Sequence, residues 1–228
     1  MENADAPVLV VTGLLAEARI ASGPGVAIIC RGNRQEPLRD RIPRGTNDRF
    51  RAVISFGVAG GLDPALAPGR IIIARQLIRG SKRLATDAAL TRHLHWKLAI
   101  SDALIGDIAA ESAPLCTPED KQALRLATGA HVVDMESWEA VQLAAEFGVG
   151  FAAIRAVCDP AHRRVPPAAL AGLNADGSAS SWSVVRNLLT TPRDLPDLAQ
   201  CATGWVRALR ALRRARWALG AGFGLSDL

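Results

Sequence analysis

The feature that most constrains the fold of this chain is a series of short apolar runs rich in Val and Ile. Their apolar residues do not alternate with polar ones, which is the pattern of strands that are buried on both faces of a sheet. The predicted strands cover residues 8–13, 25–32, 51–57, 69–78, 131–133 and 151–157.

Helical patterns fall between several of these strands, and alternating strands and helices predict an α/β layer architecture. The helices predicted there cover residues 86–105, 117–128 and 137–147. From about residue 161 the chain is rich in Pro, Gly and Ala, which indicates a loop with a short helix. Two further helices are predicted to close the chain, over residues 179–190 and 197–219.

Composition narrows the class of protein. The chain has 228 residues, of which 49% are hydrophobic, so it is long and apolar enough for one large domain with a sizeable core. Aromatic residues are 4% of the chain and Tyr is absent, which argues against a stacking platform for single-stranded nucleic acid. The net charge is +5, but residues 204–228 hold five arginines and one aspartate, so the basicity belongs to the C-terminal segment. This distribution favours an anionic partner for that segment rather than a nucleic-acid groove on the body.

The cysteines and the N-terminus indicate the compartment. The four cysteines are far apart in the chain and form no CxxC pair, so we expect no disulfide framework and no metal site, as in a reducing cytosol. The N-terminus is acidic and leads directly into the first strand, unlike a signal peptide. No apolar run reaches the length of a membrane span, and we therefore expect a cytoplasmic protein.

A glycine-rich segment, SFGVAGGLDP at 55–64, follows the third predicted strand. Clustered glycines let backbone amides approach a ligand closely and form a cradle for an anion or a hydroxyl group. The segment lacks the GxGxxG spacing of a dinucleotide site. Taken alone it is also typical of a tight structural turn.

The stretch VVDMES places Asp134, Met135 and Glu136 where a strand meets a helix. A helix N-terminus stabilises the carboxylate of Glu136, which could accept two hydrogen bonds from a vicinal diol such as the ribose hydroxyls. Met135 could lie against an apolar ring face. The alternative is structural: Asp134 caps the helix, Met135 belongs to the core and Glu136 only complements the helix dipole.

Asp159 follows the last predicted strand and precedes Pro160. A partly desolvated carboxylic acid at this point would keep its proton to higher pH and could donate it near neutrality. The alternative is that Asp159 and Pro160 only start a turn.

In combination, the segments GVAGGL, VDMES and IRAVCD resemble the nucleoside phosphorylase and nucleosidase superfamily. The resemblance runs from about residue 8 to residue 160, and the superfamily includes methylthioadenosine/adenosylhomocysteine nucleosidases and purine nucleoside phosphorylases. The segment DPAHRRVPPAAL and a later ADG are similar to the hopanoid-associated phosphorylase-like proteins, which are taken to remove adenine from adenosylhopane. The resemblance implies a single α/β domain with a twisted mixed sheet flanked by helices, and a homo-oligomer.

The resemblance also implies a role for each candidate residue. Glu136 would hold the ribose hydroxyls, Met135 would pack against the sugar, and Asp159 would protonate the purine at N7 as it leaves. Glu17, in the first βα turn, would position or activate the attacking water. Cleavage of an N-glycosidic bond develops positive charge on the ribose and negative charge on the base. The carboxylates would stabilise the charge on the ribose, and the acid would neutralise the charge on the base.

The first departure from the superfamily pattern concerns the nucleophile. The residue after Gly57 is often Ser or Thr in the superfamily, whereas here it is Val58, followed by Ala59. The missing hydroxyl weakens phosphorolysis and favours water.

Two more departures concern the base. Cys158 stands where Ser is common before the acid, and its thiol is a weaker donor. The aromatic residue that the nucleosidases stack on the purine is missing from 112–116, so Leu115 or Pro114 would line the base site.

The C-terminal segment 204–219 is a basic amphipathic helix pattern. Trp205, Leu209 and Leu212 share one stripe, arginines 207, 210 and 214 lie opposite, and Arg216 falls on the apolar stripe. Such helices often lie on anionic membrane surfaces. The alternative is a helix docked on the domain or on a second subunit.

The change in composition at this point divides the chain into a catalytic domain, 1–203, and a C-terminal helix with a flexible tail, 204–228.

The resulting hypothesis is an enzyme that releases adenine from a 5′-modified, hopanoid-linked adenosine. Its partner is a small-molecule or lipid-linked nucleoside, and no cofactor is expected beyond phosphate as a co-substrate if the enzyme is a phosphorylase. A methylthioadenosine/adenosylhomocysteine nucleosidase is a further alternative. The alternative from another class is a non-catalytic, membrane-associated binding protein with the same fold.

Overall fold

The computed structural model of the chain describes residues 6–32, 36–43, 49–166, 169 and 195–227. The strands are β1 Val8–Thr12, β2 Val26–Cys30, β3 Ala52–Gly61, β4 Ile71–Arg79, β5 Lys82–Ala85, β6 Leu104–Ala110, β7 Val132–Asp134 and β8 Gly150–Asp159. The helices are α1 Leu15–Ala21, α2 Ala88–Lys97, α3 Pro118–Thr128, α4 Ser137–Phe147 and α5 Leu195–Leu219. The helix predicted at 179–190 and most of the predicted loop before it lie outside the described residues.

The strands form one mixed sheet in the order β2-β1-β3-β7-β6-β4-β5, and β8 pairs with both β3 and β4. Strands β1, β3 and β8 run parallel to one another, whereas β7 runs antiparallel to β3. The pairings β3-β7, β7-β6, β6-β4, β4-β8 and β8-β3 close a ring within the sheet. The predicted α/β domain with a mixed central sheet flanked by helices is confirmed.

Both faces of the sheet are covered, which explains the lack of alternation in the apolar runs. Neighbouring strand residues point to opposite faces, so Val10 and Ile54 join one core cluster while Leu9 and Val53 join the other. Helices α2 and α5 cover the first cluster, and α4 covers the second with Trp138 and other residues. Trp138 is therefore a core residue.

The main error of the sequence prediction lies between residues 86 and 110. The predicted helix 86–105 ends at Lys97, and Leu104–Ala110 forms strand β6 within the sheet. Gly106 and Asp107 interrupt the apolar run of β6, which hides the strand pattern. Strand β5 was also missed because all four of its residues are exposed and it pairs only with β4 at the sheet edge.

The structure also corrects the prediction of a tight turn in the glycine-rich segment 55–64. Strand β3 continues to Gly61, so GVAGG is part of a strand rather than a tight turn. Residues 57–60 are paired with β8 along this extension, with a register shift between Ala59 and Gly60.

Helix α5 is docked on the domain, as one of the two alternatives predicted. Its residues Ala208, Ala211, Leu212 and Ala215 lie in the first core cluster. Gly204 allows the close approach, because a Cβ there would lie 2.1 Å from the carbonyl oxygen of Cys158. The boundary predicted at 203/204 falls inside this continuous helix. No helix among the described residues is long and apolar enough to cross a membrane.

The residues after α5 are packed rather than flexible, contrary to prediction. Ala221–Asp227 form short 3₁₀ turns interrupted by a kink at Gly222, Phe223 and Gly224, whose φ angles are positive, and Phe223 contacts Phe56 edge-on with ring centroids 5.4 Å apart. Arg216, which breaks the apolar stripe of α5, lies over the ring of Phe223 and donates a hydrogen bond of 2.8 Å to the carbonyl oxygen of Ala21.

Candidate active site

The predicted site residues meet where strands β1, β3 and β8 end. These three strands are parallel, so their carboxyl ends lie at one edge of the sheet, which is where ligands bind in open α/β sheets. Gly13 follows β1, residues 57–61 end β3, and Asp159 ends β8. Glu136 lies between β7 and α4.

Glu17 is a buried carboxylate held by backbone amides. Its Oε2 accepts hydrogen bonds from the N–H groups of Gly13 and Leu14 at 3.0 and 2.9 Å, and its Oε1 accepts one from Val58 at 2.8 Å. A Cβ on Gly57 would lie 2.7 Å from Oε1, so glycine is required there for the carboxylate to reach β3. Burial raises the pKa of Glu17 against these hydrogen bonds and the charge of Arg155, which lower it.

Glu136 lies beside Glu17. It is the N-cap residue of α4, as the helix-start interpretation predicts, and a Cβ on Gly13 would lie 2.6 Å from its Oε1. Among the described residues its side-chain oxygens accept no hydrogen bond, and Arg155 Nη2 is 3.8 Å from Oε2. Burial raises the pKa of Glu136 to about 7, Arg155 acts in the opposite sense, and the charges of Asp134 and Glu17 add to the rise. Its carboxylate is therefore free to accept hydrogen bonds from a ligand.

Arg155 lies next to these two glutamates and was not predicted as a site residue. It is fully buried and donates to Asp134 Oδ2 at 2.6 Å, to Ser55 Oγ at 2.6 Å and to Ser137 Oγ at 3.0 Å. Burial lowers its pKa, but the carboxylates of Asp134, Glu136 and Glu17 outweigh that effect and raise it. The sequence feature that could have indicated its role is an arginine inside the apolar run IRAV.

Asp134 is structural, but the predicted helix cap is wrong. Helix α4 begins after Glu136, and no side chain caps its N-terminus. Asp134 instead accepts hydrogen bonds from Arg155 and from the hydroxyl of Ser137. An aspartate buried with an arginine is more strongly held by the ion pair than by a cap.

Asp159 is the last residue of β8 and lies beside Gly60 of β3. A Cβ on Gly60 would lie 3.3 Å from its Oδ2. Its Oδ1 accepts a hydrogen bond from the thiol of Cys158 at 2.8 Å. Burial raises the pKa of the Cys158 thiol well above its ordinary value and Asp159 adds to the rise, so the thiol remains a donor.

The partner of Asp159 was not predicted. Lys121 of α3 has no exposed side-chain surface, and its Nζ lies 2.5 Å from Asp159 Oδ2. Lysine is rarely buried, and the polar sequence of α3 gives no sign that this residue faces inward.

The remaining predicted binding residues fall into two groups. Met135 is half-buried and belongs to none of the described core clusters, so its side chain is available to a ligand. Val58 and Ala59 contact the site through their backbones, since Ala59 O accepts a weak hydrogen bond from the Cys158 thiol at 3.4 Å.

Leu115 packs against a small cluster that includes Val133, which lies beside Gly60 together with Asp159. Pro114 is exposed. The packing therefore favours Leu115 over Pro114 as the residue that lines the predicted base site.

Two surface cavities lie away from these carboxylates. The larger, of about 670 Å³, lies between α1 and α5 and is lined by Arg19, Arg213, Trp217 and other residues. The convergence of Glu17, Glu136 and Asp159 is stronger evidence for the reactive centre than cavity size, because these groups can act on a substrate. No group of three or more potential metal ligands occurs among the described residues.

Part of the chain matches a known family. A model described as the phosphorylase superfamily matches residues 102–187, which include Met135, Glu136 and Asp159. None of the curated protein sequences matches this chain.

Several solved structures share the fold. The methylthioadenosine/adenosylhomocysteine nucleosidase of Campylobacter jejuni is 13% identical with a TM-score of 0.59, and the match covers 92% of this chain and 99% of that one. The futalosine hydrolase of Helicobacter pylori is 16% identical with a TM-score of 0.57, covering 67% and 87% of the two chains.

The nucleosidase of Colwellia psychrerythraea, solved in complex with adenine, is 16% identical with a TM-score of 0.58, covering 82% and 95%. The family match is limited to residues 102–187, and the structural matches, which are 13–16% identical, show that the chain shares this fold.

Proposed function

We propose that this chain, with the fold of the nucleoside phosphorylase and nucleosidase superfamily, is a nucleosidase that hydrolyses a 5′-modified adenosine and releases adenine. One observation carries the proposal: Glu17 and Glu136 converge at Gly13, while Asp159 lies at Gly60 of the same strand that Glu17 contacts at Gly57. Gly57 and Gly60 are three residue steps apart along β3, which is about 10 Å, so the site has two separate acidic ends.

The first end suits the sugar. The oxygens of Glu136 have no hydrogen-bond donor among the described residues, and an ionised carboxylate can accept bonds from both ribose hydroxyls. Met135, next to it, offers a polarisable apolar surface to the ring. The negative charges of Glu17 and Glu136 also stabilise the positive charge that develops on the ribose during bond cleavage.

Water is the proposed nucleophile. Glu17 is a buried carboxylate whose raised pKa suits a general base, and it can take a proton from water as the oxygen attacks the sugar. Two neighbouring glutamates repel a phosphate dianion, and Val58 offers no hydroxyl to hold one. A phosphorylase with phosphate as co-substrate remains the alternative within this class.

The second end suits the leaving base. Asp159 in its protonated form would donate its proton to purine N7, so that the base departs as neutral adenine. The Cys158 thiol supports one oxygen of this carboxyl group, and Gly60 leaves room for it. Leu115 would contribute an apolar wall.

The proposed substrate is adenosylhopane, a lipid-linked adenosine. The resemblance of residues 159–170 to the hopanoid-associated proteins supports this choice over methylthioadenosine or adenosylhomocysteine. The solved structures with this fold are named for the latter two substrates and for futalosine, so these compounds are the comparison substrates.

The test is a product assay on the purified full chain. Adenosylhopane in detergent, methylthioadenosine, adenosylhomocysteine and futalosine are each incubated with and without phosphate. We expect free adenine from adenosylhopane, with the free sugar as second product and no dependence on phosphate. A ribose 1-phosphate product would establish phosphorolysis, and no base release from any compound would favour the non-catalytic binding protein.

The exposed face of α5 supports a second proposal, a peripheral contact with an anionic membrane. Trp217 is 86% exposed and Val206 is 43% exposed, and arginines 207, 210, 213 and 214 lie exposed around them. Interfacial Trp and clustered arginines suit a surface of anionic lipid headgroups. Such a contact would bring the site to a substrate that resides in a bilayer.

Vesicle flotation tests this contact. The double variant Arg210→Glu/Arg213→Glu should lose binding to vesicles with 30% anionic lipid by at least about 30-fold, since each of the two basic residues near the surface contributes about 1 kcal/mol. Arg83→Glu/Arg92→Glu makes the same charge change at exposed sites away from α5 and should bind like the wild type. Equal flotation of all three proteins would reject the contact.

Light scattering on the purified protein would test the proposed homo-oligomer.

A further inference from the structure

We propose that Lys121 is a positioning residue for the acid: it keeps Asp159 ionised and fixed in orientation until substrate binds. The inference rests on the proposed nucleosidase function, since it concerns how the acid of that reaction obtains its proton. Three observations carry it, namely the burial of Lys121, the number of its hydrogen-bond acceptors and the contacts of Asp159.

Lys121 is buried without being part of an apolar core. Its side chain has no exposed surface, and no other residue of helix α3, all of which is described, is buried. Burying an ammonium group is costly unless the group is paired and hydrogen-bonded. A lysine at this position therefore indicates a specific partner, and that partner is Asp159.

The acceptors around Lys121 match its charged form. Its Nζ donates to Asp159 Oδ2 at 2.5 Å, to the carbonyl oxygen of Arg163 at 2.9 Å and to that of Pro160 at 3.2 Å. An ammonium group has three N–H donors, whereas a neutral amine has two. The three acceptors around Lys121 therefore match the three donors of the ammonium form.

The same contacts fix the carboxyl group of Asp159. Lys121 contacts Oδ2, and the thiol of Cys158 donates to Oδ1, so both oxygens have a partner. The Asp159 side chain is 13% exposed, so it retains an open side toward the site. A cation at 2.5 Å favours the carboxylate over the acid.

Other ionisable groups surround this pair. The charges of Asp159, Lys121 and Glu17 act on the Cys158 thiol, and those of Asp159, Lys121, Arg163 and Asp197 act on the Cys201 thiol. The side chain of Arg163 donates to the carbonyl oxygen of Gln200. Of these charged groups, Lys121 makes the direct contact with the Asp159 carboxylate.

The proton balance of the proposed step follows. In the free enzyme Asp159 is a carboxylate paired with the ammonium of Lys121, and it takes one proton from solvent as substrate binds. The carboxyl O–H bond then breaks, an N7–H bond forms on the purine and the glycosidic bond breaks, which restores the ion pair. The attacking water gives its oxygen to the sugar and one proton to Glu17, which returns that proton to solvent.

The first test is the pH dependence of kcat/KM for adenine release. In the wild type, kcat/KM should fall as pH rises, because fewer molecules hold a protonated Asp159. In Lys121→Met and Lys121→Gln the falling limb should move to higher pH, since the cation is gone. Between the two limbs the ratio of variant to wild type should rise by about tenfold per pH unit.

Two controls make this test decisive. Lys121→Arg keeps the charge and should follow the wild-type profile. The ionisation of Glu136 affects all these proteins alike and cancels in the ratio. If the ratio of Lys121→Met and of Lys121→Gln to wild type is the same at every pH, Lys121 only supports the fold and the inference is wrong.

The second test needs no activity. The ¹³C signal of the Asp159 carboxyl group is titrated by NMR in the substrate-free protein, with Asp159→Asn for assignment. The midpoint should move to higher pH in Lys121→Gln, and an unchanged midpoint would overturn the inference. If the midpoint moves but no nucleoside releases adenine, the nucleosidase function fails while the effect of Lys121 on Asp159 stands.

Discussion

Two buried ion pairs in this protein look alike, yet they differ in what they leave open. Arg155 contacts Asp134 at 2.6 Å and Lys121 contacts Asp159 at 2.5 Å, and both cations are buried. The Asp134 side chain has no exposed surface, whereas 13% of the Asp159 side chain is exposed. The first pair is closed within the protein, and the second is open on one side.

The remaining partners of each pair show the same difference. Arg155 also donates to Ser55 of β3 and Ser137 of α4, so it joins β8 to two other elements. Lys121 donates instead to carbonyl oxygens of the turn after β8 and holds that turn around Asp159. A buried carboxylate with a cation is thus not in itself a sign of catalysis. The open side of the carboxylate distinguishes the candidate acid from the structural residue.

Breaking the open pair at its carboxylate should have the largest effect on rate. Asp159→Asn cannot donate a carboxyl proton, and we expect kcat for adenine release to fall by about 100- to 10 000-fold. The amide oxygen of Asn can still accept from Lys121, so circular dichroism should show an intact fold. Turnover close to that of the wild type would remove Asp159 from the role of acid.

Breaking the closed pair should act on stability instead. Arg155→Met leaves Asp134 buried without its cation, and we expect the free energy of unfolding to fall by about 3–5 kcal/mol in urea titrations. The double variant Arg155→Met/Asp134→Leu removes both charges and should lose less than the single variant. A single variant as stable as the wild type would show that the pair is not a structural element.

Glu136 connects the closed pair to the site, and its replacement should have an intermediate effect. Glu136→Gln loses charged hydrogen bonds to the sugar, which are worth about 1.5–3 kcal/mol, so kcat/KM should fall by roughly 10- to 100-fold. Unchanged steady-state kinetics in this variant would exclude Glu136 from the sugar site.

The same variant should change the pH dependence of stability. The pKa of Glu136 is raised from 4.5 to about 7 in the folded protein, so between these values the folded state binds more protons than the unfolded state. Stability from this group is therefore present at low pH and is lost as pH rises toward about 7. Thermal melts of Glu136→Gln should lack this loss, whereas Glu146→Gln, at an exposed site, should retain it.

The smallest effect is expected at the thiol beside the acid. Cys158→Ala removes one weak donor to Asp159 Oδ1 but leaves Lys121 on Oδ2, so kcat should fall by about tenfold or less. Cys158→Ser restores a donor and should recover that loss. A loss as large as that of Asp159→Asn would mean that Cys158, and not Lys121, holds the acid.

Sequence reasoning located the carboxylates but not their partners. Glu17 and Asp159 follow β1 and β8, which run parallel, so their position in the chain brings them to one edge of the sheet. Glu136 follows β7, which runs antiparallel to β3, so its place beside Glu17 depends on the tertiary structure. Lys121 precedes Asp159 by 38 residues, and Arg155 follows Asp134 by 21, so no local pattern joins them. The polar sequence of α3 predicts a solvated helix, and only packing against the turn at Pro160 turns one lysine inward.

The C-terminal segment shows a similar limit. Its helical period was evident, and the exposed arginines 207, 210 and 214 lie where that period places them. The flexibility predicted for the glycines after it was wrong, because Phe223 and Leu225 are buried among residues far earlier in the chain. Short glycine-rich segments carry too few side chains for their burial to be predicted from local composition.

The sequence by itself thus determined most of the strands and helices, though not β5 and β6, and the place of each carboxylate at the end of a strand or start of a helix, because periodicity and chain order are local properties. The tertiary structure decided which carboxylate is closed and which is open. That choice depends on which cation reaches each aspartate and on how much solvent remains beside it. Both depend on contacts between residues far apart in the chain, which are set only when α3, α4 and β8 pack together.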